Sequence, residues 1–143
     1  MTPPSKRFEP IRRIANNKER KAASALGESL KAREAAERQL AELRTYHAEY
    51  LERYRTTAAN GASASQIRDY QVFLDKLEAA IREQERIAAR AREHCDQSKE
   101  QWRDRYTRSK AMENVVDRLR DGERKAEDKK EQVAQDERNQ RKR

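Results

Sequence analysis

Cysteine, glycine, proline and tryptophan are nearly missing from this sequence: one, three, three and one among 143 residues. A lone cysteine, Cys95, excludes an intrachain disulfide and the small disulfide scaffolds that depend on one. So few glycines and prolines cannot supply the turns of a β-sandwich or a doubly wound sheet. All three prolines (Pro3, Pro4, Pro10) fall in the first ten residues, so nothing after them forbids a helix, and Gly27, Gly61 and Gly122 only weaken one. No apolar run approaches the roughly 20 residues of a membrane span. The first ten residues lack the apolar stretch of a signal peptide. Hydrophobic residues make up 34% of the chain, too little for an ordinary compact core.

What the chain has instead is charge, 42% of all residues, with 34 Lys and Arg against 26 Asp and Glu for a net +8. The signs are interspersed, and the longest basic run is Arg141-Lys142-Arg143. Interspersed charge is the mark of solvated helix faces with pairs at i,i+3 and i,i+4.

Two apolar seams run through this charge. The first steps by threes and fours through Leu26, Ser29, Arg33, Ala36, Leu40, Leu43, His47, Tyr50 and Tyr54, interrupted at Ser29 and Arg33. Ile11, Ile14, Ala15, Ala22, Ala25, Leu30 and Leu51 broaden it. The second keeps strict heptad spacing from Ile67 through Tyr70, Leu74, Leu77, Ile81, Gln84, Ala88, Ala91, Cys95, Ser98, Trp102, Arg105, Ser109, Met112 and Val116 to Leu119. A 3.5-residue repeat of this length predicts a coiled coil. Between the seams lies an uncharged stretch, residues 56–65, containing Asn60-Gly61 and the potential N-caps Ser63 and Ser65.

These features predict an all-α chain, a two-helix antiparallel coiled-coil hairpin with a longer second helix. Residues 1–9 form a flexible arm, 10–57 the first helix, 58–65 the turn, 66–135 the second helix and 136–143 a frayed basic tail. A turn centred near Gly61 sets residue i opposite about residue 122 − i, so Tyr50 meets Val72 and Phe73, and Ile11 and Ile14 approach Met112 and Arg108. The paired part would be roughly 70 Å long.

No catalytic constellation, Gly-rich phosphate loop or metal-ligand spacing occurs, which predicts a non-enzyme without cofactor or metal. His94 and Cys95 are adjacent and diverge on a helix, and Cys95 falls on the seam as a small apolar residue. The aromatics cluster: Tyr46, Tyr50, Tyr54, Tyr70 and Phe73 all lie near the turn. They suit two compatible roles, a clamp on the turn and an exposed patch for a protein partner. Charge gathers at the chain ends instead, with seven basic side chains against two acidic in residues 1–24 and eight against five in residues 124–143. That basic end suits an acidic protein surface. It carries no aromatic stacking groups on this reading, so nucleic-acid binding there would be nonspecific and is not expected.

Several strings resemble the FliJ family of the flagellar type III export apparatus. They are Arg7-Phe8-Glu9-Pro10-Ile11-Arg12-Arg13-Ile14, then Glu37-Arg38-Gln39-Leu40 through Tyr46-His47-Ala48-Glu49-Tyr50, and above all Tyr70-Gln71-Val72-Phe73-Leu74-Asp75-Lys76-Leu77-Glu78-Ala79-Ala80-Ile81. The resemblance implies a coiled-coil hairpin similar to the central stalk of rotary ATPases. It implies a cytoplasmic protein held at the inner membrane through its partners. Its paired termini would enter the hexameric export ATPase, FliI, and its loop side would reach the export gate, FlhA. The ATPase regulator FliH and export chaperones are further implied partners. Carried over by position, the gate surface is Gln39, Leu43, Tyr46, Tyr50, Phe73, Leu77 and Ala80, whereas Gln84 stands at a position where the family can hold histidine. The ATPase-facing residues are Arg7, Arg12, Arg13, Lys18, Arg20, Lys21, Arg118 and Arg120. The stalk of a virulence type III system shares the shape, a nucleic-acid-binding coiled coil shares the charge, and two hairpins could associate as a four-helix bundle; these are the alternatives.

Overall fold

The structure, a computed structural model, describes residues 2–142. Two helices make up the chain, α1 (Pro4–Ala59) and α2 (Ala64–Arg141), and no strand occurs among the described residues. They pack against each other as an antiparallel pair within two units, one formed by Ala25–Lys99 and the other by Met1–Ser24 with Glu100–Arg143. These are termed the loop unit and the terminal unit.

The turn follows from its residues. Gly61 takes φ 87°, a left-handed conformation that glycine adopts without a Cβ clash. Ser63 then caps α2: its Oγ accepts from the Gln66 N–H at 3.2 Å, while Gln66 Oε1 accepts from the Ser63 N–H at 3.0 Å. This reciprocal capping box satisfies two donors that the helix start would otherwise leave free. The helices consequently extend further into the expected turn than 57 and 66.

The outer boundaries also differ from expectation. Residues 4–9 are helical, not an arm, and Pro10 sits inside α1. Pro4 suits the first helical position, and Ser5 is pinned to α2, its N–H and Oγ donating to Glu123 at 3.0 and 2.6 Å. At the other end α2 continues to Arg141 across most of the expected frayed tail. Strong helix formers fill this stretch, and Arg138 and Arg141 in the last turn complement the helix dipole. Met1 and Arg143 lie outside the described residues.

All sixteen positions of the heptad seam on α2 are buried or half-buried. In the loop unit the core is Ala36, Leu40 and Ala88, with Ile81 and Ala91 against it. Facing alanines let the helices approach closely, and Gln84 exploits this by donating Nε2 to the Ala36 carbonyl at 3.1 Å. Both interruptions of the first seam are resolved locally. Ser29 donates its Oγ to the Leu26 carbonyl at 2.8 Å. Arg33 turns outward to Glu37 at 3.2 Å, and Arg92 of α2 reaches the same carboxylate at 3.1 Å. The Arg92 and Arg33 hydrogen bonds hold the Glu37 carboxyl below its ordinary value.

The terminal unit is sealed differently. Stepping back from Leu26 by threes and fours, the buried or half-buried positions of α1 are Ala22, Glu19, Asn16, Arg12, Glu9 and Ser5. The seam of α1 is therefore mostly polar here, facing Val116, Ser109 and Trp102 on α2. Ile11 and Ile14, expected to broaden the seam, fall beside it and are 48% and 55% exposed. The phase set by Leu26 and Ser29 decides this: Ile11 is one residue from the seam position Arg12 and Ile14 is two from both Arg12 and Asn16, so they are turned off the seam line by about 100° and 200°.

Candidate protein-binding surfaces

Five aromatic rings form a ladder across the two helices of the loop unit. Tyr50 is its centre, 4.4 Å from Phe73 and 5.2 Å from Tyr70 between ring centroids. Tyr46 packs edge-on to Phe73 at 6.1 Å, and Tyr54 lies 5.7 Å from Tyr70. The expected meeting of Tyr50 with Phe73 is thus observed. Such pairs add about 0.5–1.5 kcal/mol each beyond area burial, so the ladder clamps the helices next to the turn. It also leaves surface: Tyr46 is 45% exposed and Val72 50%.

The residues assigned to the gate surface divide accordingly. Gln39, Tyr46 and Ala80 are exposed, and Leu43, Tyr50 and Phe73 are half-buried. Leu77 is buried in the seam, as is Leu74. Gln84 is likewise internal, spent on the Ala36 carbonyl. His47, next to Tyr46, brings Nε2 within 3.4 Å of Glu78 Oε1, an ion-pair distance without hydrogen-bond alignment.

The terminal unit concentrates charge. Residues 25–99 hold thirteen basic and thirteen acidic side chains, so the whole +8 excess belongs to the terminal unit. The basic residues assigned to the ATPase-facing end are not equivalent, however. Arg12 and Arg120 are internal links: both reach Glu9, at 2.5 and 3.1 Å, and the Arg12 hydrogen bond holds the Glu9 carboxyl below its ordinary value. Arg7, Arg13, Lys18, Arg20, Lys21 and Arg118 point outward and are exposed. The expectation that this part lacks aromatics is corrected. Trp102 and Tyr106 stack there at 5.3 Å, with Tyr106 43% exposed and Lys110 Nζ 5.8 Å from its ring. Trp102 donates Nε1 to Glu19 at 3.0 Å, which ties the indole to α1. Trp102 and Tyr106 stand far from both termini in sequence, and antiparallel pairing brings Trp102 back beside Glu19 of α1.

Ile11, Ile14 and Lys18 of α1 and Arg105, Arg108 and Met112 of α2 line a groove of about 330 Å³ in this unit. Ile11 and Ile14 do approach Met112 and Arg108 as expected, but over an open groove. Among the described residues no group of three or more His, Cys, Asp and Glu is placed to hold a metal ion, and no helix is long and apolar enough to cross a membrane. The two units present chemically different surfaces, aromatic in one and basic in the other.

A paired-helix protein of this kind, with a heptad seam and two chemically distinct faces, belongs to the helical-hairpin class. A family profile described as Flagellar FliJ protein matches residues 5–142. A curated relative, the Flagellar FliJ protein of Salmonella typhi, is 29% identical over 130 residues, spanning 91% of this chain and 88% of that protein. No solved structure gives a significant match. The chain belongs to the flagellar FliJ family, which makes it a component of the flagellar export apparatus.

Proposed function

We propose that the chain acts as a non-enzymatic coupling component, linking the hexameric export ATPase (FliI-like) to the export gate (FlhA-like). In this reading it also meets the ATPase regulator (FliH-like) and assists export chaperones. It works in the cytoplasm and meets the inner membrane only through these partners. The observation that carries the reading is the aromatic ladder, whose exposed edge at Tyr46, packed on half-buried Phe73, coincides with the gate surface that family resemblance assigns. The outward basic residues of the terminal unit, Arg7, Arg13, Lys18, Arg20, Lys21 and Arg118, support the ATPase-facing assignment by their charge. Arg12 and Arg120 serve that unit's own pairing through Glu9 and are set apart from it.

The test is Tyr46→Ala with Phe73→Ala. The double variant leaves Leu74 and Leu77 in the seam, so helicity at 222 nm stays near that of the parent while binding to the gate's cytoplasmic domain is lost. Undiminished pull-down of that domain by a fully helical double variant would refute the gate assignment.

A further inference from the structure

The groove of the terminal unit is built like one side of a three-helix contact. From α1 it takes Ile11, Ile14, Ala15 and Lys18, spaced i, i+3, i+4, i+7, a single helix face. From α2 it takes Arg105, Arg108 and Met112, spaced i, i+3, i+7, with Ala111 also lining it. Antiparallel pairing aligns the two rows: the Glu19–Trp102 hydrogen bond sets Lys18 level with Arg105, and Ile11 then lies level with Met112. Each row continues one turn further with an exposed apolar residue, Phe8 at 38% and Val115 at 37%. The strip therefore covers about three helical turns, roughly 15 Å, apolar at the Phe8 and Val115 end and basic at the other.

We infer that this groove receives an acidic amphipathic helix of a partner protein, with its apolar face on Ile11, Ile14 and Met112 and its carboxylates over Lys18, Arg105 and Arg108. Charge selects the occupant. The unit holds the chain's whole positive excess, so a second copy would bring like charges together, whereas an acidic helix neutralises them. Among the described residues Lys18 and Arg105 have no ion-pair partner, and Arg108 has only a solvated i,i+4 pair with Asp104 at 3.5 Å, which is readily exchanged. Shape selects a helix over a flat anionic membrane, because the apolar strip is a concave furrow between two helices rather than a convex face. The inference rests on reading the terminal unit's outward charges as partner-facing, but it does not require that the partner be the ATPase.

The experiment uses the full chain and a fluorescein-labelled designed peptide of 18 residues, helical, with Leu at i, i+3, i+7 and Glu on its polar face. Anisotropy should show saturable binding that weakens as salt rises. Ile11→Ser with Ile14→Ser should weaken it at least tenfold with helicity unchanged, since both side chains are half-exposed. Lys18→Glu with Arg105→Glu should weaken it at least tenfold and flatten its salt dependence. The inference is overturned if the peptide fails to bind, if both variants bind as the parent does, or if a Lys-for-Glu peptide binds equally well. It is equally overturned if the isoleucine variant loses only concentration-dependent self-association, or only binding to phosphatidylserine vesicles. An Arg7→Glu, Arg13→Glu variant that still associates with the ATPase and still binds the peptide would refute the ATPase reading and leave the groove standing, so the two failures are distinguishable.

Discussion

Truncating Leu40 measures how much a single buried seam contributes when no second layer stands behind it. Leu40 is 5% exposed and packs against Ala36 and Ala88, themselves 7% and 1% exposed. Leu→Ala in a buried site costs about 2–5 kcal/mol, the transfer term plus the cavity left behind. Here the neighbouring alanines have no side-chain reach to refill the gap, yet water enters a two-helix seam more readily than a globular core. Those opposing effects place Leu40→Ala at about 2–3 kcal/mol, since alanine's better helix propensity returns only a few tenths. In a unit the size of Ala25–Lys99 this lowers the melting temperature by roughly 15 °C. Ile87→Ala is the matched control: Ile87 lies in the same unit but is 42% exposed, so its loss should cost under about 1 kcal/mol. Urea unfolding followed at 222 nm, with hydrogen exchange on the amides around residue 88, reports both. Equal destabilisation by the two substitutions would mean that the seam does not organise the unit's stability, and the reasoning from heptad positions to energy would fail.

Further predictions concern three carboxylates and the turn. Glu9, Glu37 and Glu123 have carboxyls held below their ordinary value of 4.5, chiefly by hydrogen bonds from Arg12, Arg92 and Ser5 respectively. Depressed folded-state values mean stability that is fully present above about pH 4.5 and is lost as pH falls through the folded values. Melting should therefore be insensitive to these groups between pH 7 and 5 and drop below about 4.5, and Glu123→Gln should loosen the start of α1 at neutral pH, as faster exchange of the Ser5 amide. At the turn, Ser63→Ala should cost about 1 kcal/mol, and the added effect of Gln66→Ala should fall short of its effect alone, because the two side chains form one box. Additive losses in a double-mutant cycle would refute the reciprocal cap.

The pairing was legible in the sequence because heptad spacing is a long-range signal repeated at every turn. Sixteen positions from Ile67 to Leu119 agree on one face, and local exceptions such as Gln84 and Ser98 cannot move it. The register was legible because the uncharged stretch around Gly61 fixes the point of reversal, and Tyr50 accordingly meets Phe73. The helix limits were less so. The start at Pro4 depends on Ser5 meeting Glu123, 118 positions away in sequence. No local pattern records that contact, whereas Pro10 records a plausible start that tertiary contact overrides.

The surfaces divide along the same line. The aromatic ladder could be found by position, since Tyr46, Tyr50 and Tyr54 recur every four residues and the turn returns Tyr70 and Phe73 beside them. The groove could not, because a hydrophobicity argument assigns Ile11 and Ile14 inward and Glu9, Arg12 and Glu19 outward. The structure reverses both assignments, and the reversal is coherent. A seam of Ser5, Glu9, Arg12 and Glu19 holds because each side chain finds a specific partner: Glu123, Arg120 and Trp102 on α2, and Glu9 with Arg12 within α1. Polar pairing of this kind contributes less stability than leucines would, but it fixes the rotation of α1 about its own axis. Two isoleucines are thereby held in solvent beside Lys18 and Arg105, which have no ion-pair partner among the described residues. A chain selected only to close its own coiled coil would gain by rotating those isoleucines inward. Keeping them outward at the start of α1, where the positive excess also lies, is the arrangement expected of a surface that another chain covers.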